Sequence, residues 1–124
     1  MRSDTILLVE NEVLIRDAWA RELADAGFHV REACNGLEAL EILDAEPEVD
    51  ALVTDIRMPG AVDGWRLAEE ARRERRELPV IYTTGFSTDE HRQVQGSILL
   101  HKPMTIQMIL DALQSFGLPA SETR

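Results

Sequence analysis

Leu52-Val53-Thr54-Asp55-Ile56-Arg57-Met58-Pro59-Gly60 reads as an apolar strand that ends on a carboxylate and runs straight into a Pro-Gly turn. A strand of an open α/β sheet that delivers an acid at its C-terminal end puts that acid where such sheets bind ligands. Three other apolar runs end in a similar way. Ile6-Leu7-Leu8-Val9 leads into Glu10, Asn11 and Glu12. Val80-Ile81-Tyr82-Thr83 leads into Thr84 and Gly85, and Ile98-Leu99-Leu100 leads to Lys102 before Pro103. An acid cluster, an acid, a hydroxyl and an ammonium are thereby directed to one edge of a sheet.

Strand-length runs alternate with segments of helical period along the whole chain. The expected strands are Thr5–Val9, Phe28–Ala33, Ala51–Thr54, a fourth opened by Pro79, and Ile98–Leu100. A first helix is expected over Glu12–Ala26, with Val13, Ala18, Trp19 and Leu23 among its apolar positions and Gly27 as its stop. Asn35-Gly36 reads as a turn before a second helix carrying Leu37, Ala39, Leu40, Ile42 and Leu43, which Pro47 closes. A third starts near Trp65, read as its anchor, and turns Leu67, Ala68 and Ala71 inward. Its mixed-charge tail, Arg72–Glu77, reads as a solvated helix end. A short polar fourth helix is expected near Thr88–Gln95 and a fifth over Ile106–Phe116, with a frayed polar tail from Leu118. Five successive β–α units with right-handed crossovers imply a doubly wound, five-stranded parallel sheet of order 2-1-3-4-5, an α/β flavodoxin-like fold. The switch point then lies between strands one and three and brings Glu10, Asn11 and Asp55 side by side. One domain is expected over 1–124, with its core over about 5–116 and a polar tail at 117–124.

The chain has 124 residues and a formal net charge of −10, which argues against general binding of nucleic acid or of an anionic membrane, since both need a basic face. Cys34 is the only cysteine, so an intrachain disulfide is excluded; the residue reads as a small structural side chain. No apolar run approaches the roughly 20 residues of a membrane span. The start, Met1-Arg2-Ser3-Asp4, lacks the features of a signal peptide, so a cytoplasmic location is expected. His29, His91 and His101 are too scattered to suggest a metal site.

Carboxylates crowded at the mouth of a sheet repel one another, an arrangement that a hard divalent cation such as Mg²⁺ relieves. Glu10 and Glu12 equally suit a helix N-terminus, where acids are favoured. Asp55 is a candidate general base, nucleophile or metal ligand. As a nucleophile it would accept a phosphoryl group to make an acyl phosphate. That chemistry needs a metal and a fixed cation on the transferring oxygens, and Lys102 suits the second role. Thr84 can donate a hydroxyl to a phosphoryl oxygen, and Gly85 leaves room for the group to enter.

The runs Ile6–Glu12, Asp55 with Met58-Pro59 and Asp63-Gly64, Pro79 through Thr84-Gly85, and Lys102-Pro103 together resemble the receiver domain of two-component response regulators over residues 5–116. The resemblance implies that Asp55 is the phosphoacceptor, served by a histidine kinase or phosphotransfer protein. It implies that Glu10 and Asn11 fill the acidic-pair positions and hold Mg²⁺ with Asp55 and the backbone carbonyl of Arg57. Thr84 would be the switch hydroxyl and Lys102 the fixed cation, with Lys102–Pro103 in cis. Phe86 and Arg57 would stand at positions that tune phosphoryl lifetime. Ile81-Tyr82-Thr83-Thr84-Gly85-Phe86 resembles receivers common in alphaproteobacteria, some of them single-domain, and Met1 and the polar end at Arg124 suit a stand-alone chain.

Three departures from the family pattern stand out. Asn11 replaces the usual aspartate, so weakened Mg²⁺ affinity is expected. Leu99 replaces the usual Tyr or Phe of the switch, which puts the coupling of Thr84 to an aromatic in doubt. The loop from Met58 to Gly64 is one residue longer than the commonest form. The resulting expectation is a phosphorylation-controlled switch rather than an enzyme. It would act on a protein target through the face made by the fourth helix, fifth strand and fifth helix, where homodimers also form in the family. The alternative, favoured by Asn11 and Leu99, is a phosphate-independent interaction module. A phosphatase or flavin enzyme on the same fold is disfavoured, since a second catalytic acid and a flavin phosphate loop are both missing.

Overall fold

Ile6 to Val9, Ala51 to Val53 and Val80 to Tyr82 are all buried, because each of these strands has a neighbour on both edges and helices over both faces. Near-continuous apolar runs of this kind are what a covered parallel sheet requires. The computed structural model describes residues 3–85 and 92–121. Its strands are β1 (Thr5–Val9), β2 (His29–Ala33), β3 (Ala51–Asp55), β4 (Val80–Thr84) and β5 (Ile98–His101). They form one sheet of order β2-β1-β3-β4-β5, and every pairing is parallel. The described helices are α1 (Val13–Asp25), α2 (Gly36–Ala45), α3 (Gly64–Glu74) and α4 (Ile106–Ser115).

Alternation along each strand sorts the core into two layers. Leu7, Val9, Leu52, Val80 and Tyr82 pack with α2 and α3, with Trp65, Leu67, Ala68 and Ala71 supplied by α3. Ile6, Leu8, Val53 and Ile81 pack with Leu23 of α1 and Ile109 and Leu113 of α4. Trp65 is the expected anchor of α3: its ring centroid lies 4.9 Å from that of Tyr82.

Helix starts are set by side-chain caps. Asn35 does more than turn the chain, since its side chain accepts from the Glu38 amide at 2.8 Å, while Glu38 returns to accept from the Cys34 amide at 2.7 Å. Asp63 caps α3 through the Arg66 amide at 2.9 Å, and Thr105 caps α4 through that of Met108 at 3.3 Å.

Several sequence expectations need correction. Most of the helix expected near Thr88–Gln95, with Phe86 and His91, lies outside the described residues, and the described part, 92–95, is not helical. Cys34 is exposed rather than packed, because the chain leaves the sheet at Ala33. Val13 and Leu37 follow the helical apolar pattern yet face outward, since each stands in a first turn that overhangs the end of the sheet. Arg72 and Arg75 are not a solvated helix end: Arg72 Nε donates to the Leu78 carbonyl at 2.8 Å, and Arg75 Nη2 to those of Leu43 and Glu46 at 2.5 and 3.2 Å. Aliphatic stems let both side chains lie along the protein while their heads meet backbone carbonyls. The tail is docked as far as Ser121. Leu118 packs on the core layer of α1 and α4, and the Ser121 amide donates to the Ala26 carbonyl at 2.7 Å. No helix among the described residues is long and apolar enough to cross a membrane.

The start of α3 is pressed against the end of β3. The Gly64 amide donates to the Ile56 carbonyl at 2.8 Å, and a Cβ at Gly64 would fall 2.2 Å from the Asp55 carbonyl oxygen. Gly64→Ala should therefore force the helix off the strand and lower the unfolding free energy by about 2–3 kcal/mol in urea titration. A stability equal to that of the wild type would show that the two backbones do not approach so closely.

Candidate functional site

Asp55 is the last residue of β3, between β1 and β4. Val9 pairs with Thr54, so the residue after β1, Glu10, comes level with Asp55 on one side. Asp55 pairs with Thr83 on the other, which sets Thr84 just beyond it. Thr84 pairs with His101, and Lys102 follows. Parallel strands thus bring four residues that are far apart in sequence to one edge, at the switch point such sheets use for ligands.

Lys102 Nζ lies 3.2 Å from Glu10 Oε1 and 3.2 Å from Asp55 Oδ2, so one ammonium bridges two carboxylates. Its backbone is pinned by donation of the Lys102 amide to the Thr84 carbonyl at 2.7 Å, and the Lys102–Pro103 bond is cis. Glu10 is fully buried at 0% exposure and Asp55 nearly so at 7%. Glu10 also serves the start of α1, since its Oε2 accepts from the Glu12 amide at 3.0 Å. One side chain therefore meets both the start of α1 and the Lys102 ammonium. Thr84 is buried, and among the described residues the atom nearest a Cβ at Gly85 would be Lys102 Cδ at 3.9 Å.

Electrostatics follow from this crowding. Burial, and then the negative charge of Glu10, push the Asp55 carboxyl above the ordinary aspartate range, with Lys102 opposing them. Burial pulls Lys102 down, but the charges and hydrogen bonds of Asp55 and Glu10 outweigh it and hold the ammonium above its usual value. Each group shifts the titration of the other, with Lys102 opposing the upward push on Asp55 and Asp55 favouring the charged form of Lys102.

Asn11 is exposed just past Glu10, and Arg57 is exposed two residues past Asp55. Among the described residues, no group of three or more His, Cys, Asp or Glu side chains is placed to hold a metal. The potential donors are instead two carboxylates with the Asn11 amide oxygen and the Arg57 carbonyl. This all-oxygen set fits a hard cation such as Mg²⁺ in kind, with less charge than a three-acid cluster would supply. Leu99 stands apart from this edge. It is partly buried against the core layer of α2 and α3, level with Tyr82 in the next strand. Tyr82 is likewise a core residue, whose hydroxyl accepts from the Val94 amide at 3.1 Å. His29 and His101 are exposed.

Two residues at this edge escape a sequence reading. Arg16 Nη1 donates to the Glu10 carbonyl at 2.8 Å while its Nε meets Glu32 at 3.2 Å, tying α1 to the ends of β1 and β2. The Trp19 ring lies with its centroid 5.8 Å from Lys102 Nζ, within reach of a cation–π attraction. The available signal was their three-residue spacing on one face of a helix that begins at the acid cluster; Trp19 by itself reads as an ordinary core position.

Comparison with known proteins agrees with this geometry. The family described as the response regulator receiver domain matches residues 6–114. The sensor kinase CckA of Brucella abortus is 40% identical over 88 residues, which is 70% of this chain and 9% of that kinase. A response regulator receiver protein from Sinorhizobium medicae WSM419 superposes with a TM-score of 0.88 at 34% identity, covering 92% of this chain and 94% of that one. The receiver domain of the hybrid histidine kinase CckA gives 0.77 at 33% identity, over 90% of this chain and 96% of that one. The chain spans only 9–13% of the length of the sensor kinases it matches.

The raised Asp55 carboxyl has a measurable consequence. A carboxyl whose folded value exceeds its unfolded one costs the fold stability once pH passes the unfolded value, and costs none while it is protonated. Asp55→Asn should therefore melt at a higher temperature than the wild type near neutral pH, with the gap closing as pH falls toward about 4. Thermal unfolding followed by circular dichroism across that range checks this; a wild type as stable as the variant at neutral pH would contradict it.

Proposed function

The chain belongs to the response regulator receiver domain family of two-component signalling, and we propose that within it Asp55 accepts a phosphoryl group and thereby switches partner binding. The carrying observation is the single ammonium 3.2 Å from both buried carboxylates, with a buried hydroxyl at the end of the next strand.

In this reading the donor is a phosphohistidine of a histidine kinase or phosphotransfer protein. An ionised Asp55 oxygen attacks phosphorus, the phosphorus–nitrogen bond breaks, and the imidazole leaves with the bonding pair. Lys102 turns from the carboxylates toward the incoming phosphoryl oxygens, where negative charge builds. Thr84 donates its hydroxyl to one of those oxygens. Glu10, Asp55, the Asn11 side chain and the Arg57 carbonyl would hold Mg²⁺, which when bound supplies charge neutralisation at the transferring group. The chain acts as a switch with at most self-catalysed gain and loss of phosphate, not as a classical enzyme.

The acyl phosphate then biases the region of β5 and α4 toward a conformation that binds a protein target or a second copy of the chain; a few kcal/mol of differential contact suffices. The acidic composition supports a protein partner over nucleic acid or a membrane surface. A second reading, an interaction module independent of phosphate, draws support from Asn11 and from Leu99, whose side chain is packed with the core and carries no ring or hydroxyl.

Intact mass after incubation with acetyl phosphate, with and without Mg²⁺, separates the two. The expected result is a Mg²⁺-dependent gain of one phosphoryl group that Asp55→Asn abolishes. A folded protein that gains none from acetyl phosphate or from a phosphorylated histidine donor is the phosphate-independent module. Asn11 supplies a neutral donor where a carboxylate would bind harder. Asn11→Asp should accordingly raise Mg²⁺ affinity by about tenfold or more in a titration followed by tryptophan fluorescence; unchanged affinity would remove Asn11 from the site.

A further inference from the structure

We propose that the groove between α2 and α3 is a docking surface for a cationic amphipathic segment of a partner protein, separate from the edge that carries Asp55. The groove encloses about 320 Å³ between the two helices. Leu40 and Leu43 line it, and Leu37 stands at its lip, 62% exposed. A large apolar side chain left this open beside a hollow calls for an occupant more than a lone surface leucine does.

The rim decides the chemistry of that occupant. Glu41 and Asp44 border the groove from α2, Glu70 and Glu74 from α3. The carboxylates of Glu41, Asp44 and Glu74 make no hydrogen bond or ion pair among the described residues. Glu70 has only loose partners on its own helix, Arg66 at 3.9 Å and Arg73 at 3.8 Å. Arg75 is the one cation in the lining, and its Nη2 is turned inward onto the Leu43 and Glu46 carbonyls. What remains toward solvent is an apolar floor under a carboxylate rim. Anions and nucleic acid are repelled by such a rim, and a purely apolar segment would bury carboxylates without partners. A segment with Leu-like side chains on one face and Lys or Arg beside them meets both demands, because long basic side chains lay their stems on apolar surface and keep their charges at the edge. The rim would also steer such a partner in diffusional encounter.

This face lies across the sheet from α1 and α4. A partner here leaves β5 and α4 free, and its binding does not require phosphate on Asp55.

The test is NMR titration of the whole chain with a short helical peptide bearing Leu on one face and Lys on the other. A peptide of the same pattern with Glu for Lys serves as the control. Shifts confined to α2 and α3 with the Lys peptide, and none with the Glu peptide, are expected. Glu41→Lys with Asp44→Lys should weaken binding about tenfold or more, and Leu37→Ser should weaken it without changing net charge. Glu22→Lys with Asp25→Lys, the same charge change on α1, should leave affinity within about twofold. Equal loss from the α1 pair would mean attraction to net charge alone and would overturn the proposal. So would shifts spread over the surface, or a groove closed by self-association that Leu37→Ser abolishes. Because Asp55→Asn should bind the peptide as the wild type does, failure of phosphorylation leaves this result untouched.

Discussion

Glu10 and Asp55 are two acids taken almost completely out of water, and one ammonium holds both. Buried charge is tolerated only when paired, and Lys102 is the shared partner of both acids. The pairing exists because three strand ends meet. β1 brings Glu10, β3 brings Asp55, and the residue after β5 brings Lys102 across β4. The Thr84 carbonyl fixes the Lys102 backbone, and α1 reaches in with Arg16 and Trp19. Two carboxylates against one ammonium leave the edge short of positive charge.

The same sheet separates two surfaces by parity. Odd-numbered and even-numbered positions of β1 face different helix pairs, so Leu7 and Val9 belong with α2 and α3 while Ile6 and Leu8 belong with α1 and α4. The start of α3 ties β3 to one of these layers, because Gly64 lets its backbone lie directly on the end of β3. On the other layer, the chain beyond α4 returns to the end of α1, where Ser121 meets Ala26. Each face thus has its own anchorage, and the acid edge sits above both.

Asn11 and Leu99 mark where this chain departs from the pattern it otherwise shares. The first is exposed beside buried Glu10 and carries no charge. The second lies in the core layer of Tyr82 and Trp65.

The strand order, the four strand-ending residues and the family likeness were legible in the sequence, because fully buried parallel strands carry unbroken apolar runs and their C-terminal ends share one edge. The five strands and the first helix lie within a residue or two of their expected bounds. Helical periodicity was less informative at helix starts, where Val13 and Leu37 keep the apolar spacing but extend past the sheet into solvent. Arg72 and Arg75 read as solvated charges until folding set the carbonyls of Leu78, Leu43 and Glu46 within their reach. The docked tail, the Trp19 ring near Lys102 and the acid-rimmed groove were likewise decided by tertiary structure alone. Each depends on elements distant in the chain meeting in space, and local pattern carries burial and period but not the partner that arrives from elsewhere.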